Sequence, residues 1–137
     1  MIRQLYGSRE LRRWTLILYW ITMFVATHWP DINRYKPEYG WPIPHFDAVM
    51  HTTVYAGWAA MWWWFLSAGK RQVSRAAAGW LLAGGVLWAA FDELSQALVA
   101  REPAIDDFLC DLCGMLLVVF ILSLRQHTRI AIWRKSA

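Results

Sequence analysis

The sequence predicts an all-α, polytopic membrane domain: a bundle of four transmembrane helices with both termini in the cytoplasm. Three observations carry this. Hydrophobic residues make up 58% of the 137 and charged residues only 18%, against roughly 25% charged in ordinary soluble domains. Four mostly apolar stretches, each near the ~20 residues that cross a ~30 Å hydrocarbon core, are separated by short polar or proline-rich connections. The basic residues fall almost entirely on one side of those stretches. The same composition excludes a disordered chain, a miniprotein stapled by disulfides, since there are two Cys, and a nucleic-acid-binding domain with its charge on one soluble face.

The first stretch runs from Trp14 to Trp29. It is short for a span unless Leu11 and the snorkelling stems of Arg12 and Arg13 extend it, and Pro30 stops it. Residues 30 to 45 carry four Pro and one Gly, so a loop is expected there. The second span is expected from about Phe46 to Ala68, and the basic connection GKRQVSR leads into the third, from about Ala76 to Val99. A tight AREP turn follows, with Pro103 suited to a helix start. The fourth span, about Ala104 to Leu124, ends in the apolar run MLLVVFILSL. Basic residues before an apolar stretch also resemble a signal peptide. No small-x-small cleavage site follows, so the first span is read as a retained anchor, and the whole chain as one domain.

Orientation follows from the charges. Arg3, Arg9, Arg12, Arg13, Lys70, Arg71, Arg75, Arg125, Arg129, Arg134 and Lys135 fall on one side, against Arg34, Lys36 and Arg101 on the other. The positive-inside rule makes the first side cytoplasmic. The acids are distributed oppositely. Apart from Glu10, all of them (Asp31, Glu38, Asp47, Asp92, Glu93, Glu102, Asp106, Asp107, Asp111) lie in outer loops or the outward halves of spans, with His28, His45 and His51.

The polar residues form helical stripes. Asp47, His51 and Tyr55 are spaced i, i+4, i+8 on one face of the second span. Gly85, Ala89, Glu93 and Gln96 share a face of the third, and Asp107, Asp111, Gly114 and Val118 a face of the fourth. Each face is small or apolar deep in the membrane and polar near its outer surface. A bundle built on them packs tightly below and opens a polar cup above, with Arg101 hanging over it from the turn. Glu93 and Asp111 stand inside apolar stretches, where ionisable residues are costly and mark cavities or pathways.

Other residues have plainer readings. Asp106 and Asp107 open a helix, where carboxylates favour the macrodipole, and Asp106 is assigned that role alone; Asp47 is open to the same reading. Asp92, one position off the Glu93 face, is expected to reach interfacial water, and His28 and His45 to lie at the surface. Cys110 and Cys113 form a C-x-x-C within a span, beside Asp111, where a thiolate is disfavoured; packing thiols are expected. Trp62, Trp63 and Trp64, with Trp29 and Trp41, suit interfacial belts, and Trp58 and Trp88 suit packing. Ser95 lies about 160° from Glu93 at 100° per residue, which argues against a serine nucleophile.

Together these residues resemble the VanZ-like family of small bacterial membrane proteins. That family's pattern has an Asp-Lys pair and a His near the second span, an E-x-x-Q late in the third, then an Arg, followed by Asp, Asn and Gly at fixed steps along the fourth. Here Asp47 and His51 take the first positions, and Glu93 and Gln96 form the E-x-x-Q within DELSQ. Arg101 is followed by Asp107, Asp111 and Gly114 at steps of 6, 10 and 13. The resemblance covers about residues 14 to 124. It departs at Ala48, where Lys is common, at Asp111, where Asn is commoner, and at Val99-Ala100 in place of Pro-Gly. It implies a link to glycopeptide resistance of the teicoplanin type and to the cell envelope, and no particular reaction.

Charge then narrows the chemistry. Asp47, Glu93, Asp107 and Asp111 against Arg101 leave the cup at −3 with His51 neutral. Desolvation costs several kcal/mol per ion, so some carboxylates hold protons, or His51 is charged, or a cation sits among Asp47, His51, Glu93, Asp107 and Asp111. That cation is either a divalent metal on oxygen ligands or part of a substrate. Two functions fit. In one, Asp47, His51, Glu93, Asp107 and Asp111 supply acid and base, while Arg101, Gln96 and Tyr55 bind the head group of a phospholipid or lipid-linked cell-wall precursor for hydrolysis or head-group transfer. In the other, the same site binds or translocates an envelope lipid or a glycopeptide antibiotic without chemistry.

Overall fold

The structure, a computed structural model, describes residues 8–28, 45–68, 72–99 and 101–135, with side chains to residue 128. Among these the chain is helical almost throughout, with no strand. α1 spans Arg9–Thr27, α2 Phe46–Leu66, α3 Arg75–Gln96 and α4 Ile105–Lys135, and a 3-10 turn at Ala97–Val99 ends α3. Trp29 and most of the 30–45 loop, Trp41 included, lie outside the described residues, as do Lys70 and Arg71.

Local chemistry explains the boundaries. The Ser8 hydroxyl accepts from the backbone N–H of Leu11 at 3.1 Å, an N-cap that starts α1 at Arg9, ahead of the expected Trp14. Ser74 does the same for Ala77 at 3.1 Å and opens α3. At the start of α2, His45 makes no side-chain cap and takes a left-handed backbone, φ 54°. α4 runs past the expected end at Leu124 because nothing in RQHTRIAIW breaks a helix. Gln126 also clamps its base: the side chain accepts from Val73 N at 2.9 Å and donates to Val73 O at 3.0 Å.

α2 is the hub. Its closest partner is α4; α1 packs on α2, α3 packs mainly on α4, and α1 touches α3 only lightly. The α2–α4 approach requires Gly114, where a Cβ would overlap the Thr52 carbonyl oxygen and lie 3.0 Å from Ala56 N. Tyr55, Trp58, Ala59, Ala89 and Met115 form the centre of the core.

The outside of the bundle is apolar. Leu18 on α1, Trp80, Leu87 and Leu94 on α3, and Leu117 and Phe120 on α4 all stand more than half exposed. Among the described residues one helix, over Ile105–Thr128, is long and apolar enough to cross a membrane by length and composition. The other three dilute their apolar residues with Trp, Tyr, Thr, Gly and ionisable side chains.

The tryptophans correct the belt assignment. Trp63 belongs to the core, and Trp62 packs against it. Trp20 meets Trp58, Trp62 and Trp88 edge-to-face, with ring centroids 6.1, 5.8 and 4.9 Å away, the geometry that ring quadrupoles favour. Trp64 carries the Arg12 guanidinium 5.1 Å above its ring, and Arg12 donates to the Trp64 carbonyl at 2.6 Å. Cys110 and Cys113 are free thiols, and Cys113 faces outward rather than packing inside.

Candidate functional site

At one end of the bundle α2, α3 and α4 each contribute one face of the predicted stripes. His51 of α2 and Glu93 of α3 are buried, and Asp111 of α4 is 0% exposed. Gly114, one turn below Asp111, lets α4 come close enough to α2 for their side chains to meet. His51 Nδ1 lies 2.9 Å from Asp111 Oδ1 and 3.8 Å from Glu93 Oε1, while Nε2 lies 3.6 Å from Asp107 Oδ2. One imidazole is thus ringed by carboxylates from two other helices.

Glu93 is fixed on both oxygens. Gln96 Nε2 donates to Oε1 at 3.3 Å, and the backbone N–H of Ala104, in the turn before α4, donates to Oε2 at 3.1 Å. Asp107 is the most exposed of the set and marks where the cluster opens. Tyr55, 0% exposed, stands a turn below His51. Its hydroxyl is paired with the Asp92 carboxyl and lies near enough to Asp111 and Glu93 to feel their charge, whereas Asp111 Oδ2 finds no hydrogen-bond partner among the described residues.

A cavity of about 110 Å³ adjoins the cluster, lined by Thr27, Asp47, His51, Tyr55 and Arg101 together with apolar side chains. Arg101 Nη1 donates to the Thr27 carbonyl at 2.6 Å, so the guanidinium closes the end of α1 while lining the cavity. Asp47 shares the His51 face, as its spacing predicts, but stands exposed at the rim. It makes no ion pair among the described residues and does not join the carboxylate ring.

Two residues expected to face water are drawn into the bundle instead. Asp92 is 0% exposed and accepts from the Thr27 hydroxyl at 3.0 Å. His28 turns inward from the end of α1: its Nδ1 lies 3.0 Å from the Phe24 carbonyl and 3.6 Å from Asp92 Oδ1, and its Nε2 lies 2.8 Å from the Ser95 hydroxyl. The Phe24 carbonyl can only accept, so Nδ1 carries the proton. Ser95 does face away from Glu93, and the face it occupies is the one that meets α1. The signal for this second cluster was present: Asp92 ends the same apolar run as Glu93, and His28 continues the Trp20–Phe24 face of α1 at i+4 spacing. His45 stays exposed.

The arrangement can do two things chemically. A His–Asp pair at 2.9 Å orients an imidazole for proton transfer. The donor atoms of His51, Glu93 and Asp111 also all lie within 4.8 Å of one another, close enough to share one cation. Comparison with protein-family models, with characterised proteins and with solved structures finds no match to this chain.

Proposed function

We propose that this chain is a VanZ-like integral protein of the bacterial cytoplasmic membrane. In this reading it has four spanning helices, cytoplasmic termini and a polar site on the outer side, which acts on an envelope-lipid head group by hydrolysis or head-group transfer. The observation that carries the reading is the inverted distribution of side chains. His51, Asp92, Glu93, Gln96 and Asp111 are buried, while large apolar residues cover the exterior of α1, α3 and α4. That pattern suits a lipid solvent, in which ionisable groups face the bundle interior. Four of the family-type residues also gather, with His51, Glu93, Asp107 and Asp111 meeting above Gly114's close contact, while Asp47 stands at the rim.

The cavity's volume, about 110 Å³, is the room of roughly four waters. It suits a phosphate or a similarly compact head group. His51 and the surrounding carboxylates supply acid and base, and Arg101 supplies the cation at the cavity wall.

The test is incubation of purified protein with head-group-labelled phospholipids and lipid-linked cell-wall precursors. Release or transfer of label supports the reading. Saturable binding without product assigns the site to holding or moving the head group instead, and no interaction with either lipid class overturns both. Arg101→Lys is expected to lower turnover or affinity at least tenfold, because an ammonium can cap Thr27 yet cannot present a planar fork to an oxyanion. Full activity in that variant would reduce Arg101 to charge balance.

A further inference from the structure

The strongest unexplained feature is a buried carboxylate oxygen with nothing to bind. Asp111 is 0% exposed, and its Oδ2 has no partner among the described residues. A buried polar atom left unpaired is costly, more so when charged. The same carboxylate belongs to the group in which His51, Glu93 and Asp111 bring their ligand atoms together.

We infer that His51 Nδ1, Glu93 and Asp111 form a binding site for a divalent transition-metal ion of the zinc class. The inference rests on the functional reading above only in placing this ion beside the head-group cavity. Ligands about 2.0–2.2 Å from a shared zinc ion lie roughly 3–4 Å apart. The His51 Nδ1–Asp111 and His51 Nδ1–Glu93 separations are 2.9 and 3.8 Å, and all three ligand atoms lie within 4.8 Å of one another, so binding an ion draws the carboxylates inward by under about 1 Å. One imidazole with two carboxylates favours zinc or manganese over magnesium or calcium, which prefer all-oxygen cages. Two positive charges also offset the buried acids where no Lys or Arg is buried among the described residues.

The outer supports match a metal site as well. Ligating histidines usually give their second N–H to a carboxylate, which fixes the ring and its tautomer, and Asp107 stands 3.6 Å from His51 Nε2. Glu93 is held by Gln96 and by the Ala104 N–H. With three protein ligands, a four-coordinate ion keeps one position open. His51 also lines the cavity, so a head-group oxygen or a water at that position would be polarised by the ion.

The test uses full-length protein in detergent, stripped with chelator, dialysed against Zn²⁺ and assayed for bound metal. Wild type is expected to retain one equivalent. Glu93→Gln and Asp111→Asn, which keep side-chain shape, are expected to retain none, Asp107→Asn to bind 10–100-fold more weakly, and exposed Asp106→Asn to bind as wild type. Wild type that retains no metal, or equal retention in all variants, would overturn the site. Should the variants misfold, Co²⁺-loaded wild type still decides: visible absorption bands of a four-coordinate nitrogen–oxygen site support it, and the octahedral aqueous spectrum overturns it. The outcomes separate the two readings. Lipid turnover by wild type that retains no metal removes the metal site and leaves the head-group function, whereas one bound equivalent without any lipid interaction does the reverse.

Discussion

Replacing Asp111 with Asn is expected to abolish lipid head-group turnover, a loss on the order of 10²–10⁴-fold for removing one acid–base partner, without loss of folded protein. Asn preserves the shape of the side chain but removes the charge that faces His51 Nδ1 at 2.9 Å. Stability and activity should part company here. A carboxylate at 0% exposure bears a desolvation cost of several kcal/mol, so in metal-free protein the neutral variant is expected to melt at the same temperature as wild type or higher. Glu93→Gln is expected to behave alike, since Gln96 and the Ala104 N–H can hold an amide in nearly the same place. Turnover assays beside thermal melts in detergent check this. Full activity in both variants would remove the site, and a collapse in melting temperature with proportional loss of activity would make the pair structural.

Gly114→Ala is expected to produce the largest loss of stability from any single added methyl. The new Cβ would strike the backbone of α2 at Thr52 and Ala56, and neither can swing aside as a side chain does. The helices must separate, and overpacking of this kind costs about 1–3 kcal/mol or more. Gly85→Ala offers the internal comparison. Its Cβ would meet the Met115 thioether and the Trp58 ring, and the flexible Met115 can move away. A smaller drop in melting temperature is therefore expected for Gly85→Ala. Equal melts for both variants would mean that α2 and α4 are not locked together at Gly114. Because His51 and Asp111 lie on the two helices that Gly114 joins, the same variant is expected to weaken their contact.

Much of this arrangement is legible in the primary structure. Helical spacing alone places His51, Glu93, Asp107 and Asp111 on three inward faces, because a residue's azimuth on a helix follows from its position. Small residues at Gly85, Ala89 and Gly114 mark where neighbouring helices approach. The parts that escape are those set between helices. Whether Asp92 meets water or α1 depends on where α1 docks, and nothing within α3 records that. His28 looks like the end of a span until the end of α1 is set beside Ser95. Trp62 and Trp63 suit a belt on composition, yet their packing is set between helices: Trp62 meets Trp20 from α1, and Trp63 joins the core. Asp47 shows the converse. Its spacing puts it on the His51 face, but that face rises out of the bundle before reaching it.

The meeting of Trp20, Trp58, Trp62 and Trp88 has an optical consequence. With ring centroids 4.9 to 6.1 Å from Trp20, these four indoles are close enough to exchange excitation energy. Their share of the fluorescence, and the near-ultraviolet circular dichroism of their crossed packing, are expected to report on the junction of α1, α2 and α3. Departure of α1 from the bundle registers in both signals without any label.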